Sequence, residues 1–392
     1  MKSETLSHFL DQKPLYYKEI DHKRVHDAYA ILKPHIKHPK TVHIVGTNGK
    51  GSTGRIFAHL AYTNLSVGHY TSPHILKFNE RIWLDGADVS DPVLESAHQK
   101  LFAVLGKEMS EALSYFEYTT LLAFVVFENC DLMVLEAGLG GEFDATNVCD
   151  KELSIITPIG IDHQAFLGET IEEIAATKIR SIQKKVLLAP QVYDAVYDVA
   201  EKIAKDKGAT LYKTLDVGVG APRPTRLEQI TKDKAWPEYL VDNAFVAMQA
   251  LALLGIKYDV NDLKSVELFG RFYALRENIR IDVGHNPLAA KAIVKAMSED
   301  TVLIYNSLDD KEYEEVLAIL KPKVKRVEII AIASQRATTL EEIEHALENV
   351  RLPYGTFENK MDENENYLVF GSFYVVEAFL KRTCSVGFPI HV

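Results

Sequence analysis

Two kinds of segment alternate along most of this chain. Apolar, β-branched runs of the length of a buried strand occupy residues 41–45, 131–136, 153–158, 186–189, 278–283, 301–305, 327–332 and 367–370. Between them, apolar positions recur with the 3.6-residue period of an amphipathic helix. Short apolar strands separated by helices are typical of βαβ units, in which helices cover both faces of a mostly parallel sheet. The pattern therefore predicts an α/β fold.

The same pattern predicts two domains. A chain of 392 residues is long enough for two or three domains. The strand-and-helix rhythm is interrupted and then restarts after Leu268-Phe269-Gly270-Arg271. We therefore predict a larger N-terminal domain at residues 1–269 and a smaller α/β domain at residues 270–392.

Composition argues against nucleic-acid and membrane partners for this protein and indicates where in the cell it works. The formal net charge is −11, which argues against non-specific nucleic-acid binding, because that binding neutralises phosphates with Lys and Arg. The three cysteines form no C-x-x-C pair, so we interpret them as free thiols in a reducing compartment. The N-terminus lacks the basic and apolar regions of a signal peptide, and no apolar run is long enough for a membrane span. These features predict a cytoplasmic protein without nucleic-acid or membrane partners.

The strongest candidate for chemistry is a glycine-rich turn after the first predicted strand. Its residues are Gly46, Thr47, Asn48, Gly49, Lys50, Gly51, Ser52 and Thr53. Glycines let backbone amides approach phosphate oxygens, and the helix that follows offers unpaired donors and a favourable dipole. Lys50 is placed to reach the outer phosphates of a nucleotide, and a hydroxyl just after it to ligate Mg²⁺. The spacing departs from the standard P-loop, and the alternative is a tight strand-to-helix turn with a solvated lysine.

These eight residues resemble the phosphate loop of the folylpolyglutamate synthase and dihydrofolate synthase branch of the Mur ligase family. Muramyl-peptide ligases usually place a hydroxyl residue directly after the lysine, whereas this chain has Gly51 there. Further motifs match the folate branch in order: Thr71-Ser72-Pro73-His74, Asn79-Glu80-Arg81-Ile82, Phe116-Glu117-Tyr118, Glu136-Ala137-Gly138-Leu139-Gly140-Gly141, Asp144-Ala145-Thr146-Asn147, Ile161-Asp162-His163, Gly270-Arg271-Phe272, Asp282 and His285-Asn286-Pro287. The resemblance implies a P-loop ATPase domain followed by a smaller Rossmann-like domain.

The resemblance also implies that Ser52, Glu136 and His163 bind Mg²⁺, and that Lys178 is carbamylated and holds a second metal through its carbamate. Lys50, His163 and Lys178 are the catalytic residues it implies. Independently, Glu136 ends a predicted parallel strand, where ligands bind in open α/β sheets, and a carboxylate suits Mg²⁺. The alternatives are a helix cap or surface ion pair for Glu136, a structural histidine, and an ordinary solvated helix lysine. A bound K⁺ ion is also implied, although the sequence does not identify its ligands.

The resemblance assigns the remaining site residues to two ligands. Nucleotide contacts in addition to the phosphate loop are Asn243, Arg271, Asp282 and His285. Folate contacts are Ser72, Pro73, His74, Arg81 and Phe116. The chain departs from the family at Phe269, where a proline usually precedes the Gly-Arg pair, and in the turn at residues 308–312.

The implied reaction is ATP-dependent ligation of L-glutamate to a folate-type carboxylate through an acyl phosphate, giving ADP and phosphate. Dihydropteroate and reduced folates are the candidate acceptors, and we expect a monomer that uses both. An enzyme with only one of the two activities is the first alternative. The others are a muramyl-peptide ligase, which the folate-branch motifs disfavour, and a regulatory P-loop NTPase. The Asn-Lys-x-Asp motif that specifies guanine in such NTPases is absent from this chain.

Overall fold

The computed structural model describes residues 4–13, 21, 23–214 and 223–384. The chain divides into two compact units: Met1–Ile230 with Asn243–Val266, and Thr231–Asp242 with Glu267–Val392. We call them unit 1 and unit 2. The predicted α/β class is confirmed, and the domain boundary predicted at residue 270 stays a prediction.

Within its described residues, unit 1 contains a sheet of eight strands in the order β4-β3-β2-β5-β1-β6-β7-β8. The strands are β1 (Lys40–Val45), β2 (Val67–Tyr70), β3 (Ile82–Leu84), β4 (Ala87–Asp88), β5 (Leu132–Glu136), β6 (Leu153–Ile156), β7 (Lys185–Leu188) and β8 (Thr210–Lys213). All neighbours from β2 to β8 are parallel, whereas β3 and β4 extend the sheet in antiparallel fashion. The central strand β1 lies between β5 and β6, so the ends of these three strands form one edge.

Helices cover both faces of this sheet, because successive side chains of a strand point to opposite faces. The helices up to residue 253 are α1 (Leu6–Asp11), α2 (Arg24–Leu32), α3 (Lys50–Tyr62), α4 (Asp91–Ala112), α5 (Tyr115–Val126), α6 (Gln164–Leu167), α7 (Ile171–Ile179), α8 (Asp194–Lys207), α9 (Thr225–Asp233) and α10 (Glu238–Leu253). On one face, Leu135 packs with α4 and α5, and Val45 packs with α7 and α8. On the other face, Ile44 lies against α3 at Gly54.

Unit 2 contains a second sheet, which has six strands among the residues the structure describes, in the order β13-β12-β11-β14-β10-β9. The strands are β9 (Tyr273–Arg276), β10 (Ile279–Ile281), β11 (Thr301–Tyr305), β12 (Val324–Ile329), β13 (Tyr354–Thr356) and β14 (Tyr367–Phe370), and the helices are α11 (Pro287–Ile293), α12 (Tyr313–Leu320), α13 (Leu340–Val350) and α14 (Phe373–Cys384). Only the β9–β10 pair is antiparallel. The helix α11 begins at Pro287, and the Asn286 side chain accepts a hydrogen bond from the Ala289 amide at 2.9 Å.

Every apolar run predicted to be a strand forms one, but the sequence analysis missed several others. The strand β2 is buried, yet its residues include Gly68 and His69, which interrupt the apolar run. A Cβ at Gly68 would lie 2.2 Å from the Phe127 ring, so packing requires glycine there. The edge strands β4 and β13 are exposed and therefore carry no apolar signal. Among the described helices, none is both long enough and apolar enough to cross a membrane.

Candidate active site

The loop after β1 takes backbone conformations that require glycine at two positions. Gly46 has φ +151° and Gly49 has φ +86°. A Cβ at Gly46 would lie 2.0 Å from the hydroxyl oxygen of Thr157, and one at Gly49 would lie 2.8 Å from the amide oxygen of Asn243. The loop is therefore packed closely between the end of β6 and the Asn243 side chain, and neither site tolerates a larger residue.

Hydrogen bonds hold the start of this loop against the segment after β6. The amides of Thr47 and Asn48 both donate to the Pro158 carbonyl oxygen, at 2.9 and 3.1 Å. The Thr47 hydroxyl donates to the Gly160 carbonyl oxygen at 3.1 Å. The helix α3 then begins at Lys50, and no side chain in the described part of the chain caps its N-terminus. The first amides of an α-helix have no intrahelical acceptor, so a helix N-terminus of this kind suits an anion such as phosphate.

Two lysines lie at this loop. Lys50 donates hydrogen bonds to the carbonyl oxygens of Gly46 and Thr47, both at 3.2 Å. Lys178, on α7, is only 4% exposed and donates to the same Gly46 oxygen at 3.1 Å. Burial and the charge of Lys50 lower the pKa of Lys178 to about 7. The structure thus places both predicted catalytic lysines beside the phosphate loop.

The predicted metal ligand Glu136 ends β5, on the strand next to β1. It pairs with Ile44, two residues before Gly46, and is 4% exposed. Its carboxylate accepts a hydrogen bond from the Thr71 hydroxyl, which follows β2. Glu136 therefore belongs to the same sheet edge as the phosphate loop, and the helix-cap and surface ion-pair alternatives do not describe it.

The glycine-rich turn after Glu136 is built by close packing. A Cβ at Gly138 would lie 2.6 Å from the Phe116 ring, and a Cβ at Gly141 would lie 2.3 Å from the Lys178 carbonyl oxygen. The glycine-rich turn therefore packs against both Phe116, a predicted folate contact, and α7, the helix that carries Lys178.

The end of this motif is held by Asp144, which is 6% exposed. Its carboxylate accepts hydrogen bonds from the Leu139 amide at 2.9 Å and from the Thr146 amide and hydroxyl at 2.9 and 2.5 Å. Burial raises the pKa of Asp144, and the hydrogen bonds oppose that increase. The side chain of Asp144 therefore fixes the glycine-rich turn from within.

His163 precedes the short helix α6 and has a left-handed backbone conformation, with φ +54°. Its amide donates to the Asp162 carboxylate at 2.9 Å, and its ring Nε2 lies 3.8 Å from the same oxygen. The Asp162 charge also acts on Lys178, where it favours the protonated amine. His163 and Lys178 are therefore both close to Asp162, although sequence reasoning did not select Asp162.

The chemistry of the predicted metal ligands fits a hard cation in part. Ser52 and Glu136 are buried oxygen donors, which Mg²⁺ prefers. Lys178 fits only as a carbamate, since an ammonium group repels a cation. In the part of the chain that the structure describes, no group of three or more His, Cys, Asp or Glu side chains could hold a metal. The predicted set includes only two residues of those types, so the assignment stays a prediction.

Most of the predicted folate contacts lie in the segment after β2, and Phe116 lies on α5. Arg81 is 8% exposed, and its Nε donates to His74 Nδ1 at 2.8 Å. Its guanidinium carbon lies 5.2 Å from the centre of the Tyr115 ring, which is a cation–π distance. The neighbouring Phe116 ring lies 5.9 Å from that of Tyr70. The structure therefore joins residues from two motifs, and Ser72 and Pro73 continue the chain directly after Thr71.

The other predicted nucleotide contacts, Arg271, Asp282 and His285, belong to unit 2. Arg271 donates to the Gly270 carbonyl oxygen at 3.1 Å, and its guanidinium carbon lies 5.3 Å from the centre of the Phe373 ring. His285 Nδ1 is 3.1 Å from the Val283 carbonyl oxygen. Asp282 is buried at the end of β10, where burial raises its pKa and Arg271 opposes that increase. The nucleotide contacts of these residues stay predictions.

Individual proteins and solved structures resemble this chain over most of its length. No family model matches the chain. A dihydrofolate synthase/folylpolyglutamate synthase from Haemophilus influenzae is 30% identical over 396 residues, covering 87% of this chain and 88% of that protein. The crystal structure of Helicobacter pylori folylpolyglutamate synthetase has a TM-score of 0.77 and 41% identity, covering 97% of this chain and 98% of its own. A bifunctional folylpolyglutamate synthase/dihydrofolate synthase with Mn, AMPPNP and L-glutamate bound has a TM-score of 0.81 and 25% identity, with coverages of 97% and 98%.

This chain belongs to the dihydrofolate synthase/folylpolyglutamate synthase family. The resemblance inferred from the motifs is thereby confirmed, as is the fold it implied. The relatives favour the folate branch over the muramyl-peptide ligase and the regulatory NTPase.

Sequence reasoning did not select three residues that contact predicted site residues in the structure: Thr71, Tyr115 and Asp162. Thr71 and Asp162 stand inside recognised motifs, each directly before a predicted ligand, and this adjacency was the available signal. Tyr115 also directly precedes a predicted contact, Phe116, but it stands outside the recognised motif, and its position beside Arg81 depends on how α5 packs.

Proposed function

We propose that this protein is an ATP-dependent ligase that joins the amine of L-glutamate to a carboxylate of a folate-type acceptor. ADP and phosphate are the other products. One observation carries the proposal: Lys50 and Lys178 both donate to the Gly46 carbonyl oxygen of the loop after β1, and Glu136 ends the neighbouring parallel strand β5. The names of the relatives support the choice of acceptor class.

The reaction balances without a nucleophile from the protein. An oxygen of the acceptor carboxylate attacks the γ-phosphorus of ATP, the bond from that phosphorus to the bridging oxygen of ADP breaks, and an acyl phosphate forms. The glutamate nitrogen then attacks the acyl carbon, loses a proton, and phosphate leaves. Phosphoryl transfer of this kind needs positioning and neutralisation of charge more than covalent help. Lys50 supplies positive charge at the outer phosphates, and the amides at the start of α3 supply hydrogen bonds.

Ser52, Glu136 and His163 would hold Mg²⁺, and a carbamylated Lys178 would hold a second metal. A bound Mg²⁺ neutralises charge on the phosphates. The solved relative contains Mn, and the choice of Mg²⁺ for this chain, like the K⁺ ion, is part of the proposal.

The acceptor binds at the cluster formed by Ser72, Pro73, His74, Arg81 and Phe116. The Phe116 ring offers a stacking surface to a flat ring system, while the guanidinium group of Arg81 suits a carboxylate. We propose that both dihydropteroate and reduced folates are accepted. A cytoplasmic location and a monomeric state stay predictions.

The test is phosphate release with ATP, Mg²⁺ and L-glutamate, comparing dihydropteroate with tetrahydrofolate as acceptor. Release with both supports a bifunctional enzyme, and release with one limits the protein to that activity. Release with neither acceptor would overturn the proposed substrate class. Stimulation by a UDP-muramyl peptide instead would assign the chain to the other branch of the family.

A further inference from the structure

In unit 2, one carboxylate holds three separate segments of the chain. Asp282 Oδ2 accepts hydrogen bonds from the Tyr239 hydroxyl at 2.9 Å and from the Phe272 amide at 2.7 Å. Asp282 Oδ1 accepts one from the Gly284 amide at 2.7 Å. A carboxylate has about four acceptor sites, so three of them are occupied by the protein itself.

The two backbone donors are each next to a predicted nucleotide contact. Phe272 follows Arg271, and Gly284 precedes His285. Phe272 has φ +47°, a left-handed conformation that is unfavourable for a bulky side chain. Its hydrogen bond to Asp282 helps to hold that conformation and therefore sets the direction in which Arg271 leaves the backbone.

The orientation of this carboxylate depends on Tyr239. Asp282 is buried, and a hydrogen bond that a charged carboxylate accepts is stronger than one between two neutral groups. The Tyr239 hydroxyl is the one side-chain donor to Asp282 among the three hydrogen bonds described above. Without it, the carboxylate keeps only its two backbone donors, Phe272 on Oδ2 and Gly284 on Oδ1, and its orientation is held less firmly.

We propose that Tyr239 is a positioning residue for nucleotide binding. Its hydroxyl fixes the Asp282 carboxylate and, through it, the backbone on which Arg271 and His285 stand. The proposal rests on the proposed function in one respect: it takes ATP as the ligand of Arg271 and His285.

The test compares Tyr239→Phe with the matched control Tyr354→Phe. The Tyr354 hydroxyl also bonds a carboxylate of unit 2, that of Glu348 at 3.1 Å, but on an exposed strand. For Tyr239→Phe, losing a hydrogen bond to a charged acceptor should raise the KM for ATP and the calorimetric Kd for ATP roughly three- to tenfold. The kcat and the KM values for glutamate and acceptor should stay within about twofold, and the control should change none of them.

Unchanged ATP affinity in Tyr239→Phe would overturn the proposal, and so would equal increases in all three KM values. If Tyr239→Phe folds poorly, Asp282→Asn serves as a second variant, and it must weaken ATP binding more than glutamate binding. Should the wild-type protein bind ATP without ligating glutamate, the proposed function fails, whereas the Kd ratio still decides the role of Tyr239.

Discussion

The ammonium groups of Lys50 and Lys178 donate hydrogen bonds to the same carbonyl oxygen, that of Gly46, at 3.2 and 3.1 Å. Burial disfavours the charged amine of Lys178, and the like charge of Lys50 adds to this effect, so the pKa of Lys178 falls to about 7. The pKa of Lys178 therefore lies close to neutral pH, so the unprotonated amine is accessible there. Only the unprotonated amine can react to form the predicted carbamate, so the geometry favours that modification.

Replacing Lys50 by alanine should reduce ligase turnover by on the order of 10²–10³-fold, because charge on the outer phosphates is then not neutralised. The fold should persist, since the two described hydrogen bonds of Lys50 go to carbonyl oxygens of its own loop. Phosphate release and thermal unfolding measure the two effects. Lys184→Ala is the control, because Lys184 is exposed and pairs with Glu152. Activity like that of the wild type in Lys50→Ala would contradict the phosphate-loop assignment.

Glu136→Gln tests the metal site. The amide keeps the size of the carboxylate and can still accept from Thr71, but it loses the charge that would hold Mg²⁺. We expect turnover at low Mg²⁺ to fall roughly 100-fold or more, with partial recovery at high Mg²⁺. Titration of phosphate release with Mg²⁺ measures the change, and Glu152→Gln is the matched control at an exposed carboxylate. The same Mg²⁺ dependence in Glu136→Gln and the wild type would remove Glu136 from the metal site.

Gly141→Ala should destabilise unit 1 by roughly 2–3 kcal/mol, because the added Cβ would lie 2.3 Å from the Lys178 carbonyl oxygen and the backbone must move. Activity should fall as well, since the displaced segment carries Lys178. Urea unfolding and phosphate release measure both effects. Gly355→Ala is the control, because a Cβ at Gly355 meets nothing within 4 Å. Equal stability of the two variants would show that the glycine-rich turn can accommodate a methyl group at residue 141.

The stability of unit 2 should depend on pH through Glu365. Hydrogen bonds from Arg326 and Lys325 lower the pKa of Glu365 to about 2 from 4.5. A carboxyl whose pKa is lower in the folded state stabilises the fold above its unfolded value, and this contribution is lost as pH falls from 4.5 toward 2. Because the basic partners are partly exposed, we expect a contribution of about 1–2 kcal/mol at pH 7.

Urea unfolding of Glu365→Gln from pH 7 to pH 2.5 checks this prediction. The difference from the wild type should be largest at pH 7 and should shrink as the pH approaches 2. Glu363→Gln, at an exposed position of the same loop, should show no such pH-dependent difference. A constant difference at all pH values would mean that the glutamine disturbs packing rather than charge.

Much of the fold was predictable because buried strands leave an apolar run in the sequence. The runs at residues 301–305 and 367–370 match β11 and β14 residue for residue. By contrast, β2 was missed, since Gly68 and His69 occupy buried positions that pattern reasoning assigns to polar turns. The Thr231–Asp242 segment groups with unit 2 in the structure. Its placement depends on contacts such as that from Tyr239 to Asp282, which join residues 43 apart.

The sequence by itself determined the local chemistry of the site. Gly46, Gly49 and Lys50 are neighbours in the chain, and positive φ angles and a helix start depend on residues only a few positions away. Tertiary structure alone decided which distant groups meet there: Lys178 reaches Gly46 across 132 residues, and Thr71 reaches Glu136 across 65. Burial, and with it the low pKa of Lys178, arises from the packing of whole helices against a sheet, and no short segment of sequence contains that information.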